Sequence, residues 1–197
     1  MTPRRPLTAE QWNARYPVGV AVSYHPISGF SGHSLHKTAS KARTVDRDVA
    51  VVRLDGWRRY TSLIHIRPIG RRLQRRRTRG WRMPPGAVYV GRPTLWGNIF
   101  VPGRENPFIP GRLVEDERHA WRLYQAHARV NAALVAAAQQ ELGGCDLVCW
   151  CGLCPRHADG LLLGVSCPDC VPCHADVLLA LANPHLLRAP APSETVP

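Results

Sequence analysis

Alternating apolar and polar positions predict short β-strands in the first third of the chain, because successive side chains of a strand point to opposite faces. The alternation occurs in three segments: residues 18–24, 48–54 and 62–66. Gly56 directly after Asp55 is typical of a hairpin turn. Short strands this close together resemble a small all-β SH3-like barrel, which we place at residues 17–70.

Two further segments belong to this region. A short helical arm is predicted within residues 1–16, with Thr8 near its start as the N-cap. A polar, basic excursion interrupts the strand pattern at residues 28–46. Two interpretations of it stay open, a loop that contacts phosphate and a merely solvated loop.

Strand and helix periods alternate in the second half of the chain. The predicted elements are a strand at residues 87–90, a helical stretch at 113–142, a strand at 146–150 and a helix at 174–183. Whether the first helical stretch is one helix, or two with Asn131 capping the second, stays open. This order predicts a small α/β (α+β) domain over residues 85–185, followed by a flexible tail at residues 186–197.

Positive charge is concentrated in the N-terminal part of the chain. Of the 26 lysines and arginines, 18 lie in residues 1–82 together with 4 acidic residues, whereas residues 83–197 hold 8 basic and 10 acidic residues. This asymmetry indicates contact with a polyanion, most often nucleic acid.

Seven arginines fall within residues 71–82, and we predict an Arg-rich linker at residues 71–84. Arginine forks suit phosphate, and a tryptophan beside them can stack on a base, so we expect non-sequence-specific binding of nucleic acid. The alternative is a solvated linker. The predicted nucleic-acid-binding residues are Arg71, Arg72, Arg75, Arg76, Arg77, Arg79, Trp81 and Arg82.

No apolar run approaches the ~20 residues that a membrane span needs, and the first residues lack the apolar core of a secretory signal. We therefore expect no membrane partner and a reducing cytoplasm. In that compartment clustered cysteines bind metal more often than they form disulfides. All seven cysteines of the chain lie between Cys145 and Cys173.

The cysteine spacing predicts a structural Zn²⁺ site within an insertion at residues 151–173. The series Cys151-x2-Cys154-x12-Cys167-x2-Cys170 is that of a zinc ribbon. Other four-ligand sets stay open, because Cys154-x2-His157 can pair with Cys167-x2-Cys170 or with Cys170-x2-Cys173. The candidate metal ligands are thus Cys151, Cys154, His157, Cys167, Cys170 and Cys173.

Three more residues suggest a second role for this region. Cys149 and Cys151 would face one side of a strand, and His174 and Asp176 lie at a predicted helix start, where the helix dipole stabilises a thiolate. They form either a second metal site with Cys173 or a catalytic set of nucleophile, base and orienting acid: Cys149, His174 and Asp176. The alternative is that Cys149 is a core residue.

The loop after the strand at residues 87–90 has the composition of a ligand-binding loop. Its glycines let backbone N–H groups approach an anion, and its arginine offers a fork. The candidate substrate-binding residues are Arg92, Trp96, Gly97 and Asn98. A Trp-Gly turn packed on the core would have the same sequence.

Four blocks in order resemble the family known as domain of unknown function 4326: residues 88–93, 95–100, 146–151 and 173–183. The resemblance implies that the loop at Arg92 and the elements around Cys149 and His174 form a shared site. The family usually has proline where this chain has Ile99. Residues 154–170 form an insertion here, which favours Cys154, His157, Cys167 and Cys170 as a self-contained zinc set.

These observations lead to two hypotheses of different class. The first is a zinc-binding protein that acts on or binds a nucleotide or nucleic acid, in the cytoplasm of a bacterium or a phage-infected host cell. The second is a non-catalytic nucleic-acid-binding or adaptor protein with a structural zinc site. A purely structural zinc module of a larger assembly is a third, weaker possibility.

Overall fold

The computed structural model describes residues 7–26 and 34–187, apart from the side chains of Arg47 and His185. The start of the predicted arm, part of the polar excursion and most of the predicted tail lie outside the described residues. The chain divides into two compact units, Met1–Ile69 with Arg188–Pro197, and Gly70–Leu187.

The first unit begins with helix α1 (Ala9–Arg15), as predicted. The Thr8 side chain accepts a hydrogen bond from the backbone N–H of Gln11, and the Gln11 side chain accepts from the backbone N–H of Thr8. This reciprocal capping box satisfies two N–H groups that a helix start leaves unpaired. Trp12 anchors the helix in the core of the unit.

Six short strands follow in the first unit: β1 (Ala21–Tyr24), β2 (Ser34–Lys37), β3 (Arg43–Val45), β4 (Val49–Arg53), β5 (Tyr60–Ser62) and β6 (Ile66–Pro68). They form two antiparallel sheets, ordered β2-β1-β6 and β3-β4-β5. Among the described residues only an isolated bridge between Thr38 and Leu54 joins the two, so no closed barrel forms and the SH3-like barrel is not confirmed. The strand expected at residues 62–66 is interrupted by a 3-10 turn at Leu63–His65.

The second unit is built around a four-stranded sheet of order β12-β7-β11-β8. Its strands are β7 (Arg71–Gln74), β8 (Val88–Tyr89), β11 (Leu147–Cys149) and β12 (Leu161–Leu162). Strand β11 pairs in parallel with both β7 and β8. All three residues of β11 are buried, as a central parallel strand requires. The first four residues of the predicted linker therefore form a strand of this sheet.

Four helices complete the second unit: α2 (Glu117–Val130), α3 (Ala132–Glu141), α4 (His174–Ala182) and α5 (Pro184–Leu187). The helical stretch before β11 is thus two helices, because the Asn131 side chain accepts from Leu134 N–H and caps α3. A small hairpin of β9 (Glu105–Asn106) and β10 (Ile109–Leu113), which the sequence did not predict, precedes α2. None of the helices described is long and apolar enough to cross a membrane.

Candidate metal clusters and the adjoining cavity

The carboxyl ends of three parallel strands meet at one edge of the second unit's sheet. Because β7, β11 and β8 run in the same direction, Cys149 at the end of β11 lies beside Arg75 and Val90, which directly follow β7 and β8. The backbone N–H of Arg75 donates to Cys149 O at 2.7 Å, and that of Val90 donates to Val148 O at 2.9 Å. Ligands of open α/β sheets bind at this edge, outside the strand ends.

The first group of metal-ligating residues lies at this edge, and we call it the sheet cluster: Cys149, Cys151, Cys173 and His174. The Sγ atoms of Cys149 and Cys151 lie 3.6 Å apart. The Nδ1 atom of His174 lies 3.9 Å from Cys149 Sγ and 3.8 Å from Cys173 Sγ. Cys173 is the N-cap of α4 and its sulfur accepts from Ala175 N–H, so the helix start favours a thiolate.

These separations fit a tetrahedral metal site. Zn–S bonds of ~2.3 Å at tetrahedral angles place ligand atoms about 3.8 Å apart. The Nε2 atom of His174 lies 2.8 Å from Val90 O, which can only accept, so Nε2 carries the proton and Nδ1 keeps its lone pair. A backbone carbonyl on the far nitrogen is the usual arrangement for a ligating imidazole.

The thiols of the sheet cluster perturb one another in the absence of an ion. Hydrogen bonds from Cys151 and Cys173 lower the pKa of Cys149, and burial raises the pKa of Cys173 well above its usual value. Burial also acts to lower the pKa of His174, but contacts with Cys149 and Cys151 outweigh it and raise that pKa to about 10. Because metal ligands must be deprotonated, a metal bound here would displace the protons of these groups.

A buried arginine contacts the sheet cluster. Arg72 on β7 is 1 % exposed; its Nη1 donates to Val171 O at 2.7 Å and its Nε lies 3.2 Å from Asp176 Oδ1. The Cys173 thiol also contacts the guanidinium. Burial raises the pKa of Asp176 to about 6, although Arg72 acts in the opposite direction. Asp176 is therefore the partner of Arg72 and is not one of the cluster donors.

The second group, which we call the loop cluster, lies within the insertion: Cys154, His157, Cys167 and Cys170. From Cys154 Sγ the distances are 3.2 Å to His157 Nδ1, 3.8 Å to Cys167 Sγ and 3.5 Å to Cys170 Sγ. These also fit a tetrahedral site. Desolvation opposes the shift, but hydrogen bonds from His157 and Cys170 lower the pKa of Cys154 to about 6.

The two clusters decide between the ligand sets that the spacing left open. Cys154, His157, Cys167 and Cys170 come together as the self-contained set, whereas Cys151 belongs with Cys149. The zinc-ribbon set containing Cys151 and Cys154 is therefore wrong. The two cysteines are separated because Cys151 closely follows β11 and stays at the sheet edge, whereas Cys154 lies in the inserted loop.

A cavity of about 340 Å³ opens beside the sheet cluster. Its lining includes Cys149, Cys151 and His174, together with Arg92 and Asn98 from the loop after β8. Phe100, Trp121, Pro172, Glu117 and Trp150 are also among its lining residues. Its volume is at the lower end of the ~300–1,000 Å³ of small-molecule sites, so it has room for one small ligand.

The predicted substrate loop is partly structural. Trp96 is 6 % exposed and packs in the core, with its carbonyl accepting from Tyr124 Oη, so it is not placed to stack on a ligand. Asn98 bridges the loop to α2, since its Nδ2 donates to Ala120 O and its Oδ1 accepts from Phe100 N–H. Gly97 has no room for a side chain, because a Cβ there would lie 2.8 Å from Arg92 Cγ.

Two of the predicted nucleic-acid-binding arginines already have partners in the protein. Arg71 forms an ion pair with Asp146, with Nη2 and Oδ2 2.7 Å apart, and Arg72 is buried as described above. Because β7 carries both, their guanidinium groups are fixed inside the second unit. The other predicted residues are exposed or half-buried: Arg75, Arg76, Arg77, Arg79, Trp81 and Arg82.

Trp150 is a cavity residue that sequence reasoning did not single out. It is 41 % exposed, lines the cavity, and stacks with Arg75 and Arg77, whose guanidinium carbons lie 4.9 and 5.0 Å from its ring centroid. A signal was available: Trp150 is an aromatic residue between Cys149 and Cys151, two candidate site residues, directly after the buried strand β11.

Fold and site together define a small α/β protein with two Cys/His clusters that could hold metal ions. The family model described as Domain of unknown function (DUF4326) matches residues 73–184. The chain belongs to this family, which confirms the predicted membership, and the match includes both clusters. No curated protein and no solved structure gives a significant match.

Proposed function

We propose that each cluster holds one Zn²⁺ and that the cavity beside the sheet cluster binds a nucleotide or nucleic acid. The observation that carries this proposal is that three sheet-cluster residues and the exposed Arg92 line the same cavity. Four donors at tetrahedral separations, three of them thiols, favour zinc over harder cations. Arg92, an exposed lining residue of that cavity, offers a fork for phosphate.

Metal content tests the first part of the proposal. Elemental analysis of the purified protein is expected to give two zinc ions per chain. His174→Asn and His157→Asn are each expected to retain one, because each variant removes a donor from a different cluster. A wild-type protein without stoichiometric zinc, or single variants that both lose all metal, would contradict two independent sites.

Ligand binding tests the second part. Titration with 5′-nucleoside monophosphates, followed by calorimetry, is expected to show binding that Arg92→Ala weakens. Arg112→Ala is the matched control, because Arg112 is equally exposed but lies on β10 and does not line the cavity. Equal affinities in both variants would remove Arg92 from the site, and no binding in the wild-type protein would refute the cavity's proposed ligand.

A catalytic role is the second candidate, because Cys149 and His174 border the cavity. Zinc bound there supplies Lewis acidity, but four protein donors are typical of a structural ion. His174 and Cys149 are then ligands, and Asp176 stabilises Arg72, so the predicted nucleophile, base and orienting acid have other tasks. Incubation with nucleotides and oligonucleotides, followed by mass spectrometry, distinguishes the two: an altered product absent with Arg92→Ala supports an enzyme, and unchanged ligand supports a binding protein.

A further inference from the structure

A chain of contacts links arginines and aromatic residues, of which Trp150 and Arg92 line the cavity, and we call this set the rim: Arg77, Trp150, Arg75, Tyr89 and Arg92. Arg75 connects its two parts, since its guanidinium carbon lies 4.7 Å from the Tyr89 ring centroid and 4.9 Å from that of Trp150. Tyr89 in turn donates its hydroxyl hydrogen to Arg92 O at 3.1 Å. The rim follows the carboxyl ends of the adjacent strands β7, β11 and β8.

Aromatic rings contact two of the rim arginines, but no described residue accepts a hydrogen bond from the guanidinium groups of the rim. Within the described part of the chain, the side chains of Arg75, Arg77 and Arg92 have no hydrogen-bond or ion-pair partner, unlike Arg71 and Arg72 on the preceding strand. Stacking on Trp150 and Tyr89 holds the guanidinium planes and leaves their N–H edges free. Three free forks in a row can bind successive phosphates of a polymer.

The interior of the cavity suits a base better than a phosphate. Phe100 and Pro172 give it apolar walls, and Glu117 supplies a carboxylate. A carboxylate repels phosphate but accepts hydrogen bonds from amino groups of bases. Charge therefore favours anionic groups at the rim arginines and an uncharged group beside Glu117.

We propose that the rim and the cavity together bind a single-stranded polynucleotide, with one unpaired base in the cavity and the flanking phosphates on Arg75, Arg77 and Arg92. This rests on the proposed nucleotide-binding function of the same cavity. A duplex hides its bases in the stack, so only a single strand or an extruded nucleotide can present one. Trp150, which is 41 % exposed, offers an aromatic contact for a neighbouring base.

Fluorescence anisotropy with the zinc-loaded full chain tests this inference. The probes are labelled oligothymidylate and oligouridylate of about twelve nucleotides, within the ~4–16 that such surfaces contact. A hairpin duplex and a poly-glutamate peptide are the comparison ligands. Single strands are expected to bind more tightly than both, and the two single-stranded probes show whether the strand is DNA or RNA. Equal binding of the duplex or of the peptide would overturn the inference.

Variants of the rim arginines test which residues contact the phosphates. Arg75→Ala/Arg77→Ala is expected to flatten the dependence of log K on log salt by about 1.4, since each single-strand phosphate contact contributes ~0.7. Arg104→Ala/Arg112→Ala is the matched control, because it removes the same charge from two exposed arginines that do not line the cavity. A slope that falls equally in both variants would mean that only net charge matters.

Trp150 provides an independent readout. Trp150→Ala is expected to weaken single-strand binding by about 5- to 100-fold, the range for loss of one base-stacking aromatic, whereas Trp150→Phe keeps most of the affinity. Zinc content is measured in both variants, because Trp150 lies between two cluster cysteines. Trp150→Ala with two zinc ions and undiminished strand binding would contradict the inference.

Failure of this inference is distinguishable from failure of the proposed function. If mononucleotides bind in an Arg92-dependent manner and zinc is present, but strand binding does not depend on Arg75, Arg77 or Trp150, only the rim assignment is wrong. If neither mononucleotides nor strands bind, the nucleotide-binding function itself is wrong.

Discussion

In each cluster one cysteine contacts an arginine, and these two arginines differ in how deeply they are buried. Arg72, 1 % exposed, contacts Cys173 of the sheet cluster. Arg156, whose side chain is 69 % exposed, has Nη2 3.9 Å from Cys167 Sγ of the loop cluster and pairs with Asp169. Three thiolates and one neutral imidazole give a zinc-bound cluster a net negative charge, which either arginine offsets.

Replacement of either arginine by methionine keeps much of the side-chain volume and removes the charge. We expect the loss of zinc affinity to be larger at the cluster whose arginine is buried. Arg72→Met also removes a charged hydrogen bond to Val171 O, worth about 1.5–3 kcal/mol. Loss of a supporting partner near a metal typically weakens metal binding by ~10–100-fold. Arg156→Met removes an exposed ion pair with Asp169 and the contact with Cys167 Sγ, both screened by solvent, so we expect at most about a fivefold change in affinity.

Single-site backgrounds allow each affinity to be measured alone. Arg72→Met is combined with His157→Asn, which leaves the sheet cluster as the complete site, and Arg156→Met is combined with His174→Asn. Zinc is then titrated against a chromogenic chelator of known affinity. The expected result is a decrease of at least tenfold for the sheet cluster and of fivefold or less for the loop cluster.

Two outcomes would refute the reasoning. Equal decreases in the two backgrounds would show that burial does not govern the contribution of the arginine. A decrease below about threefold for Arg72→Met would show that the protein tolerates an uncompensated charge at the sheet edge. The double variant Arg72→Met/Asp176→Asn should recover part of the loss, because it also removes the carboxylate that Arg72→Met leaves unpaired.

Three further predictions concern the cavity loop and the insertion. Gly97→Ala should weaken nucleotide binding while leaving zinc content unchanged, because the added Cβ displaces Arg92; calorimetry and elemental analysis measure the two. Asn98→Ala should lower the free energy of unfolding by about 1–3 kcal/mol, measured by urea denaturation of the zinc-loaded protein, because it removes the amide bridge to Ala120 O. Chelator treatment should make tryptic cleavage after Arg156 much faster, followed by mass spectrometry, because the loop cluster determines the conformation there.

Each of these predictions has a control or a contradicting outcome. Gly152→Ala is the control for Gly97→Ala, since its Cβ would meet only Val171 Cγ2 at an ordinary 3.6 Å. An Asn98→Ala protein as stable as the wild type would show that the loop keeps its position without the bridge. Slow cleavage after Arg156 in metal-free protein would mean that the insertion folds without an ion.

The sequence was sufficient to predict the helices and strands that depend on interactions between residues close together in the chain. Thr8 caps α1 where predicted, and Asn131 caps α3, which decides the alternative that the sequence left open; a capping hydrogen bond reaches only a few residues. The strand around Val88 and the helix from His174 were also found. The ligand set of the loop cluster followed from the resemblance and is the one that the structure brings together.

The parts that escaped prediction depend on partners distant in the chain. Arg71 and Arg72 suggest a solvated linker until Asp146 and Asp176 are seen to pair with them, 75 and 104 positions later. Trp96 follows a glycine-rich motif that suits a ligand loop and a core turn equally. Only packing against Tyr124 decides for the core.

Only Gly152 and Leu153 separate Cys151 of the sheet cluster from Cys154 of the loop cluster in the sequence. This short spacing has a consequence for refolding the protein. In an unfolded chain, Cys151 and Cys154 have the spacing of an ordinary chelating pair, yet the native structure places them in different clusters. With one zinc ion per cluster, as proposed, a refolding protocol that supplies zinc before the sheet has formed would favour a misligated product with a full complement of metal. Stoichiometry alone would not reveal it, so metal should be added after denaturant is removed.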